Sequence, residues 1–114
     1  MSSIGMFELC NIVRTKNAGP FFFTLDIVFR ERAVYEAVIA QKLLTKEMLA
    51  NAYGVPIEDV AVFETFDNVL AFKATFRRKK AAGGPGDRDV YAMNQEVPAL
   101  TIRFPLAKLP VVVG

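Results

Sequence analysis

Residues 21–29 alternate with a period of two, and that period constrains the fold more than any other feature of the chain. Successive side chains of a strand point to opposite faces. Phe21, Phe23, Leu25, Ile27 and Phe29 therefore share one face, and Phe22, Thr24, Asp26 and Val28 share the other. A strand with bulky apolar groups on one side and a mixed second side belongs in the middle of a sheet. The polar run that precedes it, residues 14–20, holds Asn17, Gly19 and Pro20 and reads as a turn-forming loop.

The rest of the chain supplies elements to pack on this strand. Met6, Leu9, Cys10 and Val13 fit a helical stripe, which predicts a short helix over residues 7–13 after a loose end at 1–5. Val34, Ala37 and Val38 place a helix over 31–41 without a good N-cap. A second helix starts at Thr45, a capping residue, with Glu47 in its first turn and Leu44 able to staple onto Leu49. It ends at Gly54 before Pro56. Strands follow over 60–66 and 69–77, joined by a two-residue turn at Asp67 and Asn68. Residues 81–89 form a Gly- and Pro-rich loop, 90–96 hold one or two helical turns, and 99–104 form a last strand.

Strand, helices, strand, strand, short helix, strand is the split βαβ order of a ferredoxin-like α+β sandwich: a four-stranded antiparallel sheet with helices on one face, here with an extra N-terminal element. The single domain spans 1–104, and 105–114 form an apolar tail that docks on this chain or on a neighbouring copy. The helices cover Phe21, Phe23, Leu25, Ile27, Leu70, Phe72, Leu100 and Ile102. The other face carries Asp26 opposite Lys73 or Arg103, and its apolar members fit a covering subunit, hence a homo-oligomer.

Composition narrows the function. A 53% apolar chain with ten Phe is not disordered, and a net charge of +2 gives no global field toward nucleic acid or membrane. The run Arg77-Arg78-Lys79-Lys80 reads as a solvated strand tip. One cysteine permits no internal disulfide, and no signal peptide or membrane-spanning run stands out, so the expectation is a cytoplasmic protein. Histidine is absent, which removes His-based triads, two-histidine zinc sites and the commonest general base. Cys10 reads as a small core residue.

The expected topology brings two loops together beside the start of the central strand. One offers Arg14, Lys16 and Asn17 as donors, with exposed backbone around Gly19. The other offers Asp87 and Asp89 among glycines, followed by Tyr91 and Gln95. The pattern suits a pocket edge for a carboxylate or phosphate. It also suits a structural clasp of Arg14 or Lys16 with Asp87 or Asp89. No Walker or dinucleotide loop is present, and Asp87-x-Asp89 alone makes no metal site, so neither metal nor cofactor is expected.

Arg14-Thr15-Lys16-Asn17-Ala18-Gly19-Pro20-Phe21 with Thr24-Leu25-Asp26-Ile27, then Tyr53-Gly54-Val55-Pro56, then Pro85-Gly86-Asp87-Arg88-Asp89-Val90-Tyr91, resemble in order and spacing the signature of a small bacterial family, domain of unknown function 4387. The resemblance covers about residues 6–104. It implies kinship with the small domain of acyclic terpene utilisation protein A-like proteins and work beside a larger such protein. The implied chemistry is acyl-CoA or hydroxy-acid metabolism, hydration or dehydration included. One departure stands out: Glu96 occupies the place where the resemblance leads one to expect histidine, while Gln95 is kept.

Three functions fit these readings. The first is an accessory or small subunit of a larger metabolic enzyme, binding a carboxylate or acyl-CoA through Arg14, Lys16, Asn17, Gly19, Asp87, Asp89, Tyr91 and Gln95. The second is a non-catalytic homo-oligomeric scaffold. The third is a stand-alone lyase, for which Asp87, Asp89 and Glu96 are the catalytic candidates, with Asp26 and Lys16 the other acid–base groups at hand.

Overall fold

A computed structural model of the chain describes residues 2–78 and 95–110. Strand β1 (Ser3–Gly5) leads into one helical turn, α1 (Met6–Leu9), and then into β2 (Cys10–Asn17). A tight turn over residues 18–21 reverses the chain into β3 (Phe22–Phe29), closed by a hydrogen bond from Ala18 N–H to the Phe22 carbonyl. Helices α2 (Arg32–Ala40) and α3 (Lys46–Tyr53) follow, then β4 (Val60–Phe66) and β5 (Ala71–Arg77). The described C-terminal part is α4 (Val97–Leu100), β6 (Arg103–Pro105) and a 3-10 turn, Leu106–Lys108.

The main sheet has the order β2-β3-β5-β4, with every neighbouring pair antiparallel. The protein is thus α+β with a four-stranded antiparallel sheet, and β3 is an interior strand as its alternation requires. Three sheet positions follow the expected order. The fourth does not: the edge beside β3 is filled by β2, whereas the C-terminal strand leaves the sheet and pairs with β1, Ile4 facing Phe104. The sheet order is therefore not the one expected for a ferredoxin-like sandwich.

Three sequence expectations give way together. The helix predicted over 7–13 shrinks to Met6–Leu9, and the presumed loop at 14–20 is strand up to Asn17. Ile12, Val13 and Thr15 are β-branched and favour strand, and the adjoining β3 offers a full ladder of backbone partners, so tertiary pairing overrides the weak helical stripe. The end at 1–5 is not loose, since Ser3–Gly5 is a paired strand. Residues 97–100 are helical because Pro98 sits in the first turn, where its missing N–H costs nothing, and this shortens the last strand.

Other expectations hold. Thr45 Oγ1 accepts a hydrogen bond of 3.2 Å from Met48 N–H and starts α3; Gly54, at φ 65°, ends it in the left-handed conformation. Helix α2 has no side-chain cap. The β4–β5 connection is longer than the two residues expected: a 3-10 turn, Asp67–Val69, precedes Leu70 at φ 57°.

The core lies between the sheet and the helices. Leu25, Ile27, Phe29, Phe76, Val34, Tyr35, Val38 and Leu49 are essentially inaccessible, and Phe104 of the small sheet meets Phe29 edge-on at 6.2 Å between ring centres. Phe21, assigned to the covered face, is 52% exposed because it belongs to the turn. Leu109 packs against the same core, and Lys108 O accepts a hydrogen bond from Gln41, so the start of the presumed tail lies against the domain. Both outer strands of the main sheet carry a register shift, between Cys10 and Ile12 in β2 and between Val60 and Val62 in β4.

Candidate functional site

Strand β2 divides the residues that the sequence grouped into one site. Its alternation sends Ile12, Arg14 and Lys16 to the open face of the sheet, opposite Val28, Asp26 and Thr24 of β3. Val13, Thr15 and Asn17 point to the covered face, opposite Ile27, Leu25 and Phe23. Arg14 is held by Asp26 across the strands at 3.4 Å, its side chain 67% exposed. Among the described residues its partner is Asp26; Asp87, Asp89 and Tyr91, and with them the expected clasp, lie outside the described residues. Asp26 also faces Lys73 in register, whereas Arg103, the alternative partner, bonds Ser3 in the small sheet. An exposed pair of this kind is worth under about 1 kcal/mol.

At the far end of β2 the donors converge. Asn17 closes the strand, and Gly19 adopts φ 80°, which the tight turn needs and which a side chain would resist. Phe22 faces Arg77 in register, so the end of β5 lies alongside this turn, as the sequence argument required. Arg78 N–H donates to the Phe21 carbonyl at 2.6 Å, and its Nη2 donates to Asn17 Oδ1 at 3.2 Å. The same guanidinium lies 5.5 Å from the Phe23 ring centre, a cation–π placement that holds it at the sheet end. Lys16 stands on the open side of this edge and forms no ion pair among the described residues. Arg77 and Arg78 belong to the run read from sequence as a solvated strand tip, and the pairing of Phe22 with Arg77 sets the start of that run beside the turn.

On the covered side, the Tyr53 ring packs at a tilt against Phe76, 4.5 Å between ring centres, and against Phe23 at 5.8 Å. Its hydroxyl donates to the Gln95 carbonyl at 2.6 Å, which pins the return of the chain onto the helical layer. Burial raises the Tyr53 phenol well above its ordinary value, so it stays a proton donor. Gln95 Oε1 is shielded from solvent and has no hydrogen-bond partner among the described residues. Glu96, half-buried, lines a cleft of about 450 Å³ with Arg30, Asn11, Leu100 and the exposed Phe7. Cys10 lies at the base of that cleft. Burial, against a smaller opposing pull from Arg30, pushes its thiol up to about 12, so it is a packing group and not a nucleophile.

The arrangement has two chemically distinct parts. At the strand end, Lys16 and Arg77 lie on the open face and can attract an anion, while Asn17 meets Arg78 beside Phe23 toward the covered face. The cleft beside the start of β2 has one carboxylate, Glu96, and one guanidinium, Arg30, in its lining. No group of three or more metal-ligating side chains occurs among the described residues, and no described helix is long and apolar enough to cross a membrane.

No curated protein and no solved structure matches the chain. The family model described as Domain of unknown function (DUF4387) matches residues 6–103, taking in both parts of the site, and the chain belongs to that family.

Proposed function

We propose that the protein is an accessory or small subunit that presents an anion-binding edge to a carboxylate- or phosphate-bearing ligand beside a larger metabolic enzyme. The observation that supports this reading is the placement of Lys16 and Arg77 on the open face of one sheet end, beside Arg78, which is fixed on Asn17 and Phe23 toward the other face. A guanidinium and an ammonium beside a side-chain amide suit a phosphate or carboxylate, and acyl-CoA carries phosphates to such an edge. The resemblance to the companions of acyclic-terpene-utilisation-like proteins supports the larger partner and acyl-CoA or hydroxy-acid metabolism. Titration of the full chain with coenzyme A and with inorganic phosphate tests the edge. Binding weakened at least fivefold by Lys16→Ala and by Arg77→Ala, with unchanged thermal unfolding, supports the reading; no binding of either ligand overturns it.

A second reading, a stand-alone lyase, rests on Glu96 in a cleft that Arg30 also lines. In it Glu96 acts as the acid–base group in place of a histidine. It requires activity from the isolated chain that Glu96→Gln abolishes.

A further inference from the structure

The open face of the main sheet carries an ordered pattern. One register row crosses all four strands as Arg14, Asp26, Lys73 and Glu64, alternating in sign from edge to edge. The row on one side of it is apolar: Ile12, Val28, Ala71 and Phe66, with Ile12 38% and Phe66 41% exposed. The row on the other side runs from Lys16 through two threonines to Val62, itself 37% exposed.

We propose that this face joins a second copy of the chain about a two-fold axis that runs along the strands, between β3 and β5. Such an axis lays β2 over β4 of the partner and β3 over β5 of the partner. Arg14 then meets Glu64 of the partner subunit, and Asp26 meets Lys73 of the partner subunit, each contact occurring twice. The same operation sets Ile12 on Phe66 of the partner subunit and Phe22 beside Arg77 of the partner subunit, a ring against a guanidinium. A two-fold axis across the strands through the charged row would set Arg14 on its own copy and Asp26 on its own copy, so charge selects one axis. Sheets pack face to face with strand directions within about 30°, which this axis allows. Four strands about 4.8 Å apart make a patch about 20 Å across, at the small end of dimer interfaces, so the dimer depends on concentration. The face takes in Lys16 and Arg77, which the anion-binding reading also uses, but the assembly needs no ligand, so the two readings are tested separately.

The test is sedimentation of the full chain over a concentration series without ligand. The wild-type chain forms dimers. Arg14→Glu faces like charge at Glu64 of the partner subunit, and Glu64→Arg faces like charge at Arg14 of the partner subunit; each raises the dimer dissociation constant at least tenfold. An equimolar mixture of the two variants recovers the dimer, since opposite charges then face each other at every site. Circular dichroism confirms that each variant is folded; where Arg14→Glu does not fold, Ile12→Lys replaces it and dissociates the dimer. A monomeric wild type, variants as dimeric as the wild type, or a folded pair that fails to reassemble on mixing overturns the proposal.

Discussion

The Tyr35 hydroxyl donates a 2.7 Å hydrogen bond to the Asp67 carboxylate, tying helix α2 to the turn between β4 and β5. Arg32 of the same helix reaches the Asp67 carbonyl at 3.4 Å, so the turn is held at two points. Tyr35→Phe keeps the packing and removes the first of these, and the expected loss is about 1 kcal/mol. A lower urea midpoint with an unchanged slope checks it.

The same contact sets an alkaline limit. Burial, and then the hydrogen bond and charge of Asp67, push the Tyr35 phenol up to about 12. The folded chain thus keeps a proton that the unfolded chain loses near pH 10. This contribution is fully present below about pH 10 and is lost as the pH rises toward about 12. Cys10 acts in the same direction from its ordinary value near 9. Unfolding followed between pH 8 and 12 should show a steep loss, and a shallower one in Tyr35→Phe.

Cys10 is 4% exposed and its thiol is protonated at neutral pH. A thiol reagent at pH 8 should label it only at the rate at which the domain opens. Fast stoichiometric labelling of the native chain would refute this.

Phe104 is fully buried although it lies in a two-stranded sheet outside the main one. Phe104→Ala should cost about 3–5 kcal/mol, the range of a large core truncation. A loss under about 1 kcal/mol, measured by denaturant unfolding, would mean that the small sheet is not part of the cooperative unit.

Thr24 is 7% exposed on the open side of β3, and its hydroxyl is shielded with no hydrogen-bond partner among the described residues. Thr24→Val keeps the shape and removes the unmet polar group, so stability should rise by about 1 kcal/mol. Thermal unfolding reads the sign directly.

What could be read from the sequence follows from the range of the interactions involved. The alternation of β3, the Thr45 cap and the Gly54 end are local signals, and each appears where it was expected. Strand β2 was missed because Met6, Leu9, Cys10 and Val13 satisfy a helical stripe, and only β3, across a turn, tips the balance toward strand. The placement of β6 was missed because its partner lies about 100 residues away at the other terminus. For the site, antiparallel pairing correctly brought the end of β5 to the start of β3. The division of Arg14 and Lys16 from Asn17, Gln95 and Glu96 could not be seen while residues 14–20 counted as loop, since a loop has no faces to separate them.

The register shifts near the ends of β2 and β4 have a bearing on how copies can meet. A bulge at each border twists the ladder of free amides and carbonyls out of line, so another chain cannot simply extend the sheet sideways. Lateral growth, the route to fibrils, is obstructed at both borders, whereas the flat face proposed to pair about a two-fold axis would close after two copies.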